Sequence, residues 1–315
     1  DVGLSERNLM GEGNDLTLHG VLSGRSSRLN LKYTEPYFLD RDISAGFDLF
    51  HSASDNQDTS SFSTKQTGGV LRANYPFTEE LRQSWSYTIK KVRIEDVSTS
   101  ASQLVQDAAG NELVSMLTHG ETYDKRDSVT SPTDGYILGM TNSFAGIGGT
   151  KRFFRNKISA QKYIPIYDQV VLSFGGGIGH ILGIGEEVGL FDRFFLGGDD
   201  LRGFSSRGVG PRDSSTKDAL GGEWIYHGST QVNFPLGLPD ELGLSGKLFT
   251  DFGSTGQLNS STTSVNDTSS LRLSIGTGLD WSSPFGPIGI DFGFPLVKES
   301  FDQTETIRVN FGTRF

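Results

Sequence analysis

The dominant hydrophobic period along the chain is two. Leu271, Leu273, Ile275, Thr277, Leu279 and Trp281 share one face, against Arg272, Ser274, Gly276, Gly278 and Asp280 on the other. Ile288, Ile290, Phe292 and Phe294 alternate with Gly289, Asp291 and Gly293. The chain ends on Ile307, Val309, Phe311, Thr313 and Phe315 against Arg308, Asn310, Gly312 and Arg314. Early segments repeat the split, with Leu29, Leu31 and Tyr33 against Arg28, Asn30 and Lys32, and Trp85, Tyr87 and Ile89 against Ser84, Ser86 and Lys90. Alternation of this length is a strand signal, and no long segment carries a helical period. The pattern predicts 15 strands, at 1–7, 15–23, 26–35, 41–51, 64–76, 80–94, 112–124, 134–146, 150–165, 168–182, 222–234, 242–253, 268–282, 286–295 and 304–315.

A β-sandwich also alternates, but soluble strands average about five or six residues. The strands here run to about 10–15 residues, enough to cross a bilayer at a tilt. Phe315, Trp281, Phe294, Trp224 and Phe234 fall near strand ends, where the aromatic girdles of a membrane barrel belong. The fold class expected is therefore all-β, a transmembrane antiparallel β-barrel. Bacterial barrels usually have an even strand count, so 16 strands are expected, with about 15 in this chain. Short turns occur at Gly24-Arg25, 36–40, 76–78, 132–135 and 284–286, and belong mostly on the periplasmic side; longer polar loops occur at 52–63, 95–111 and 254–268. One loop stands apart, 183–221, too long to be a simple connection and therefore expected to carry function.

Composition changes this picture in three places. Of 315 residues 41 are Gly, yet no triplet period accompanies them and aromatics are plentiful, so fibrous and disordered classes are excluded. Many of these glycines fall on the polar faces of strands, where small inward residues leave room in a lumen. The mean hydropathy of -0.31 suggests a soluble protein, but barrel strands average to neutral because their lumenal face is polar. The best apolar run, Val170 to Gly185, holds six glycines in 16 residues, short of the ~20 apolar residues that a spanning helix needs. A net charge of -10 argues against a nucleic-acid partner. There is no Cys, hence no disulfide framework and no thiolate metal site. No signal peptide is visible, and the start at Asp1-Val2-Gly3 suggests processing or a missing N-terminal part.

Chemistry for catalysis is sparse. His19, His51, His119, His180 and His227 are scattered, and neither a zinc H-E-x-x-H, a G-x-S-x-G elbow, a G-x-G-x-x-G nor a Walker motif is present. Glu186-Glu187 and Asp199-Asp200 in the long loop could hold a cation, but loop carboxylates are mostly solvated. The expectation is no enzyme, no cofactor and no metal.

The long loop carries Arg193-Phe194-Phe195-Leu196-Gly197-Gly198, then Leu201-Arg202-Gly203-Phe204, then Gly208-Val209-Gly210-Pro211-Arg212. This resembles the BamA superfamily of outer-membrane assembly and translocation barrels, whose sixth extracellular loop bears a [VL]-R-G-[FY] motif after an R-F-F/Y-x-G-G stretch. The G-[VI]-G-P-[RK] tail is typical of its assembly-factor branch. Asn8 to Gly13, Glu35-Pro36-Tyr37-Phe38, Pro132 to Gly135 and Phe249-Thr250-Asp251-Phe252-Gly253 resemble further family segments, so the likeness covers essentially the whole chain. It implies that the long loop 183–221 folds into the lumen and that POTRA domains precede the barrel, while the odd strand count suggests that one strand is missed here or lies before Asp1.

If the loop enters the lumen, the Arg202 guanidinium must be paired, because a buried unpaired charge is costly. Asp251 shares a strand face with Ser245, Lys247 and Phe249, opposite Leu244, Leu248 and Phe252, and so should point inward as its partner. The resemblance implies the same pairing, with Phe249 packing nearby. It also places an inward Glu where this chain has Gln231, which leaves Arg202 with one carboxylate rather than two. At the other end, the final strand closing on Phe315 resembles an outer-membrane assembly signal, and Gly312 resembles a glycine at which the family's last strand kinks. A glycine there weakens pairing, so a poorly zipped seam between last and first strands is expected.

The function this implies is that of the central barrel of the outer-membrane protein assembly machinery, in the bacterial outer membrane. Clients, the unfolded outer-membrane β-barrel proteins, would add their strands to the open edge. No nucleotide is needed, since client folding is downhill once strands pair in lipid. Partners implied are those clients, accessory lipoproteins of the assembly complex and outer-membrane lipid. Alternatives left open are a secretion or translocation barrel of the same superfamily, a passive porin and, last, an outer-membrane hydrolase.

Overall fold

The structure is a computed structural model, and it describes all residues except Asp1, 58–60, 259–264, 284–285 and 312–315. The first seven strands are β1 (Val2–Leu9), β2 (Asn14–Leu22), β3 (Ser26–Glu35), β4 (Ser44–Asp55), β5 (Ser63–Pro76), β6 (Leu81–Glu95) and β7 (Gly110–Asp124). Next come β8 (Gly135–Ala145), β9 (Phe153–Tyr167), β10 (Val170–Gly183), β11 (Arg212–Asp213), β12 (Trp224–Pro235) and β13 (Leu244–Gly256). The last are β14 (Val265–Asn266), β15 (Arg272–Ser283), β16 (Gly286–Val297) and β17 (Ile307–Phe311). Fifteen of them form one antiparallel sheet in which every strand lies beside its neighbour in the chain; β11 and β14 form a separate two-residue ribbon between loops.

This meander is inside-out relative to a soluble protein. Leu71, Ile178 and Leu248 are 63%, 57% and 53% exposed, whereas Asp251, Arg272 and Asp291 are at most 1% exposed. Period-two alternation therefore places apolar side chains outward and ionisable ones inward. Water on the outer face would make that arrangement unfavourable along every strand, whereas lipid favours it. The sheet is that of a transmembrane β-barrel, with its polar face toward the lumen. Among the described residues no helix is long and apolar enough to cross a membrane.

Strand direction alternates, so connections sort to two ends. The loops 56–62, 96–109, 184–223 and 257–271 share one end with the Gly24-Arg25 turn, which is therefore short despite lying at the long-loop end. Connections 36–43, 77–80, 125–134 and 236–243 share the other end. The final strand begins at Ile307, not 304, because the backbone of Gln303 to Glu305 is diverted to the long loop. The strand expected from 268 begins at Arg272, since the carbonyls of Thr268 and Ser270 accept from the Arg272 guanidinium, at 3.2 and 2.7 Å, in place of ladder partners.

The two outer strands are weakly held. Residues Val2 to Asn8 of β1 are all exposed. Among the described residues β17 pairs with β16 through five residues, Ile307 to Phe311, whereas β5 and β6 share fourteen paired positions. Gly312 and Phe315, the expected kink and terminal aromatic, lie outside the described residues.

Candidate functional site: the long loop and its ionic anchor

The loop between β10 and β12, 184–223, packs onto the polar face of the sheet. Phe194, Leu196, Leu201, Phe204 and Val209 are all buried. Its path is fixed by backbone pairing: Phe194 and Gly222 exchange two hydrogen bonds of 2.8 Å, and Val209 N–H donates to the Leu196 carbonyl at 3.2 Å. The hairpin tip closes when Gly198 N–H donates to the Phe204 carbonyl at 2.9 Å. Gly203 within the tip has φ +93°, a region that L side chains rarely adopt.

That tip aims Arg202 at β12 and β13. Its Nε and Nη2 donate to the two oxygens of Asp251 at 2.7 and 2.8 Å, a fork-on-fork contact, and its own backbone N–H reaches Asp251 Oδ2 at 3.0 Å. Nη1 donates to Gln231 Oε1 at 2.7 Å, and Nη2 to Ser229 Oγ at 3.0 Å. The guanidinium carbon lies 3.4 Å from the centre of the Phe249 ring, a cation–π stack. Arg202, Asp251 and Phe249 are thus brought into one contact, while Leu201 and Phe204, on either side of Arg202-Gly203, pack with Leu196 and Val209.

The expectation of a single carboxylate needs correction. Gln231 accepts from Arg202 as a neutral group, and a second carboxylate comes from β16: Asp291 lies 3.8 Å from Arg202 Nη1. Lys247 Nζ bridges Asp291, at 2.8 Å, and Asp280, at 2.7 Å. Two buried cations, Arg202 and Lys247, therefore face two buried carboxylates, Asp251 and Asp291. Such balance is what makes burial of four charges tolerable.

Glycines make the space. A Cβ on Gly276 would lie 2.2 Å from the Phe249 ring, and one on Gly278 2.6 Å from the Lys247 stem. On β16, a Cβ on Gly293 would lie 2.4 Å from the Gly203 backbone nitrogen. The loop also pairs with the chain entering β17. Ser205 N–H donates to the Gln303 carbonyl at 3.0 Å, Gln303 N–H to Gly208 at 2.9 Å, and Glu305 N–H to Gly203 at 3.0 Å. Arg308 of β17 reaches Asp199 at 3.5 Å. Asp199-Asp200, considered above for a cation, thus includes an ion-pair partner of the last strand, and among the described residues no cluster of three or more His, Cys, Asp and Glu could hold a metal.

Beyond its anchor the loop packs against the neighbouring loops 56–62 and 96–109. Phe62, Ala101, Val105, Leu190 and Leu220, from three loops, form a buried cluster with Ile94 at the end of β6. Asp218 ties the loops together, accepting from Ser61 Oγ at 2.7 Å, Ser102 N–H at 2.8 Å and Thr216 Oγ1 at 2.9 Å.

Asp192, earlier in the loop, is buried, and among the described residues its Oδ2 has no hydrogen-bond donor. Burial, reinforced by the nearby Glu112 carboxylate, pushes its carboxyl up to about 6, against the opposing pull of Lys90, Arg155 and Lys151. An acid raised above its unfolded value stabilises the docked loop fully at pH below ~4, and that contribution is lost as pH rises through about 6. We expect loop protection from proteolysis to increase between pH 7.5 and 5, and Asp192→Asn to flatten that dependence. An unchanged pH profile in the variant would contradict this.

The Omp85 superfamily domain matches residues 8–315 of the chain. The chain belongs to the Omp85 superfamily. Among relatives of this Omp85 barrel is outer membrane protein assembly factor BamA of Neorickettsia risticii, 31% identical over 312 residues, which cover 98% of this chain and 42% of that protein. BamA of Nitratidesulfovibrio vulgaris is 30% identical over 313 residues, covering 98% of this chain and 38% of that protein. The chain therefore spans about two fifths of the length of these curated relatives. The fold matches the crystal structure of BamA from Haemophilus ducreyi lacking POTRA domains 1–3, with a TM-score of 0.86 at 21% identity over 98% of this chain and 65% of that one. As an Omp85 β-barrel, the protein resides in the outer membrane.

Proposed function

We propose that this barrel is the central subunit of an outer-membrane protein assembly machine. It folds and inserts β-barrel clients without covalent chemistry and without a cofactor. The observation that carries this reading is the contrast between the sheet's outer and internal strands: β1 is exposed from Val2 to Asn8 and β17 is held through five described residues, while every internal strand is paired on both sides. An edge with free backbone groups templates an incoming strand, and in lipid a strand has no other way to satisfy its N–H and C=O groups. The names of the relatives, outer membrane protein assembly factors, support the same reading. In this account the long loop holds the approach to β17 from the lumenal side through Gly203, Ser205 and Gly208. Its buried ionic anchor fixes the chain that leads into the edge strand. Unfolded outer-membrane proteins are the clients, and accessory lipoproteins complete the machine.

The reading is tested with the full-length protein in cells depleted of their own assembly factor. Cysteine pairs, one in β1 and one in β17, are scanned through the register and oxidised. Cross-linked pairs should stop accumulation of folded outer-membrane porins, and reduction should restore it. Continued assembly with the two strands fully cross-linked would falsify the edge mechanism.

A further inference from the structure

The chain carries a net charge of -10, yet the outer face of β5 and β6 is basic toward the long-loop end. Lys65 and Arg93 are direct cross-strand partners, and Lys91 pairs with Thr67 one row nearer the middle of the sheet. Alternation from Leu71 on β5, and from Trp85 and Ile89 on β6, puts all three cations on the lipid-facing side. The side chains of Lys65 and Arg93 are 51% and 61% exposed, and Lys91 is exposed as well. Like charges directly opposite across a ladder destabilise it. Glu95 offsets part of that repulsion, pairing with Lys65 and lying 3.3 Å from Arg93 Nε. Among the described residues Lys91 pairs with no carboxylate. Asp55, one row further out, is engaged in its own loop, where it accepts from Gln57 N–H at 2.9 Å. Three cations therefore meet one carboxylate, an excess of positive charge that pairing of the strands does not require.

The cations stand at the lip of the apolar belt. On the same face, nearer the middle of the sheet, Leu49, Leu71 and Ile89 are exposed. At about 3.4 Å per residue, Lys91 lies about 7 Å and Arg93 about 14 Å along β6 from Ile89. Cationic side chains are strongly disfavoured at the bilayer midplane but nearly free at the interface, and the long-loop end of such a barrel faces the exterior. A ligand that touches both surfaces must join an acidic group to an acyl chain. A phosphate monoester carries about -1.5 to -2 charges at pH 7 and three strong acceptor oxygens, which suits the excess charge and the Lys and Arg donors. A phosphodiester carries a single charge and fewer free oxygens.

We propose that Lys65, Lys91 and Arg93 bind the phosphate-monoester headgroup of an outer-leaflet lipid, whose acyl chains lie against Leu49, Leu71 and Ile89. Charge selects the headgroup, and the adjoining apolar belt selects a lipid over a soluble anion. The site is independent of the edge mechanism above, since β5 and β6 lie in the interior of the sheet and are paired on both sides.

The test uses full-length protein in mild detergent, incubated with an equimolar mixture of phosphatidic acid, phosphatidylglycerol and phosphatidylcholine of matched chains, and read by native mass spectrometry. Phosphatidic acid presents the monoester, phosphatidylglycerol a diester and phosphatidylcholine a zwitterion. Wild type should retain phosphatidic acid about fivefold over either of the others, the size of effect that exposed charge pairs supply. Excess inorganic phosphate should not displace it, because the free ion makes no contact with the apolar belt. Lys91→Gln combined with Arg93→Gln should bring the three lipids to near parity. Glu95→Gln, which releases both of its cations, should raise retention of phosphatidic acid about twofold, a gain that loss of structure would not produce. Lys298→Gln removes an exposed lysine elsewhere at the same end of the barrel and should leave the preference unchanged. Equal retention of the three lipids by wild type, displacement by inorganic phosphate, or the same loss in Lys298→Gln as in the double variant would overturn the proposal.

Discussion

Arg202→Ala should destabilise the folded barrel by about 3–5 kcal/mol, the usual result of removing one partner from a buried ion pair. The reason lies in what remains. Asp251 is 1% exposed, and without the guanidinium its carboxylate keeps only the Ser229 hydroxyl and one loop N–H. Asp251→Ala should fall at the lower end of the range, because Arg202 can turn toward Asp291, already 3.8 Å away, while holding Gln231. The double variant should lose well under the sum, with a coupling of about 2 kcal/mol or more. Arg202→Lys should recover little, because an ammonium cannot reproduce the fork on Asp251 together with the bonds to Gln231 and Ser229. The measurement is a double-mutant cycle on unfolding transitions in detergent. A coupling near zero would sink the pairing as an energetic unit.

Much of this anchor was legible in the sequence because strand alternation is a local rule. Once Leu248 and Phe252 are placed outward, Lys247, Phe249 and Asp251 must point inward, and an inward charge demands a counter-charge. Fifteen strands could be placed within a few residues on the same ground. Asp291 shows where that reasoning stops. Its inward direction follows from Ile290 and Phe292, but its proximity to Arg202 depends on the register of β13, β15 and β16 and on how deep the loop tip sits. No spacing encodes that depth. Likewise, Gln303 to Glu305 read as the start of the final strand, because they continue its alternation. They leave the ladder because the loop offers them backbone partners from a segment about 100 residues away. The Asp218 tie between loops was invisible for the same reason: Ser61, Ser102 and Asp218 have no sequence relation until the strands bring their loops together.

The glycines join local pattern to long-range contact, and they carry the second large effect. Gly293→Ala should displace the loop tip at an expected loss of about 1–3 kcal/mol, and Gly293→Val should reach the upper end or exceed it. A Cβ at Gly293 would stand 2.4 Å from the Gly203 nitrogen and 2.8 Å from its Cα. Both are backbone atoms, and neither strand nor hairpin tip can move aside as a flexible side chain would. Gly203 cannot yield by changing conformation, because its φ of +93° is what turns Arg202 toward Asp251. Relief therefore requires the tip to lift, and lifting it draws the guanidinium off its carboxylate. Gly175→Ala on β10 is the control. Its added Cβ would meet nothing closer than 3.6 Å, so a change within about 0.5 kcal/mol is expected. Limited trypsin digestion separates the two cases, since Arg202 is buried and becomes cleavable only once the tip has lifted. Gly293→Val should be cut after Arg202 under conditions where wild type and Gly175→Ala resist. Equal resistance in all three would mean that the loop is held by its outer contacts around Asp218 rather than by the close approach of two glycine backbones.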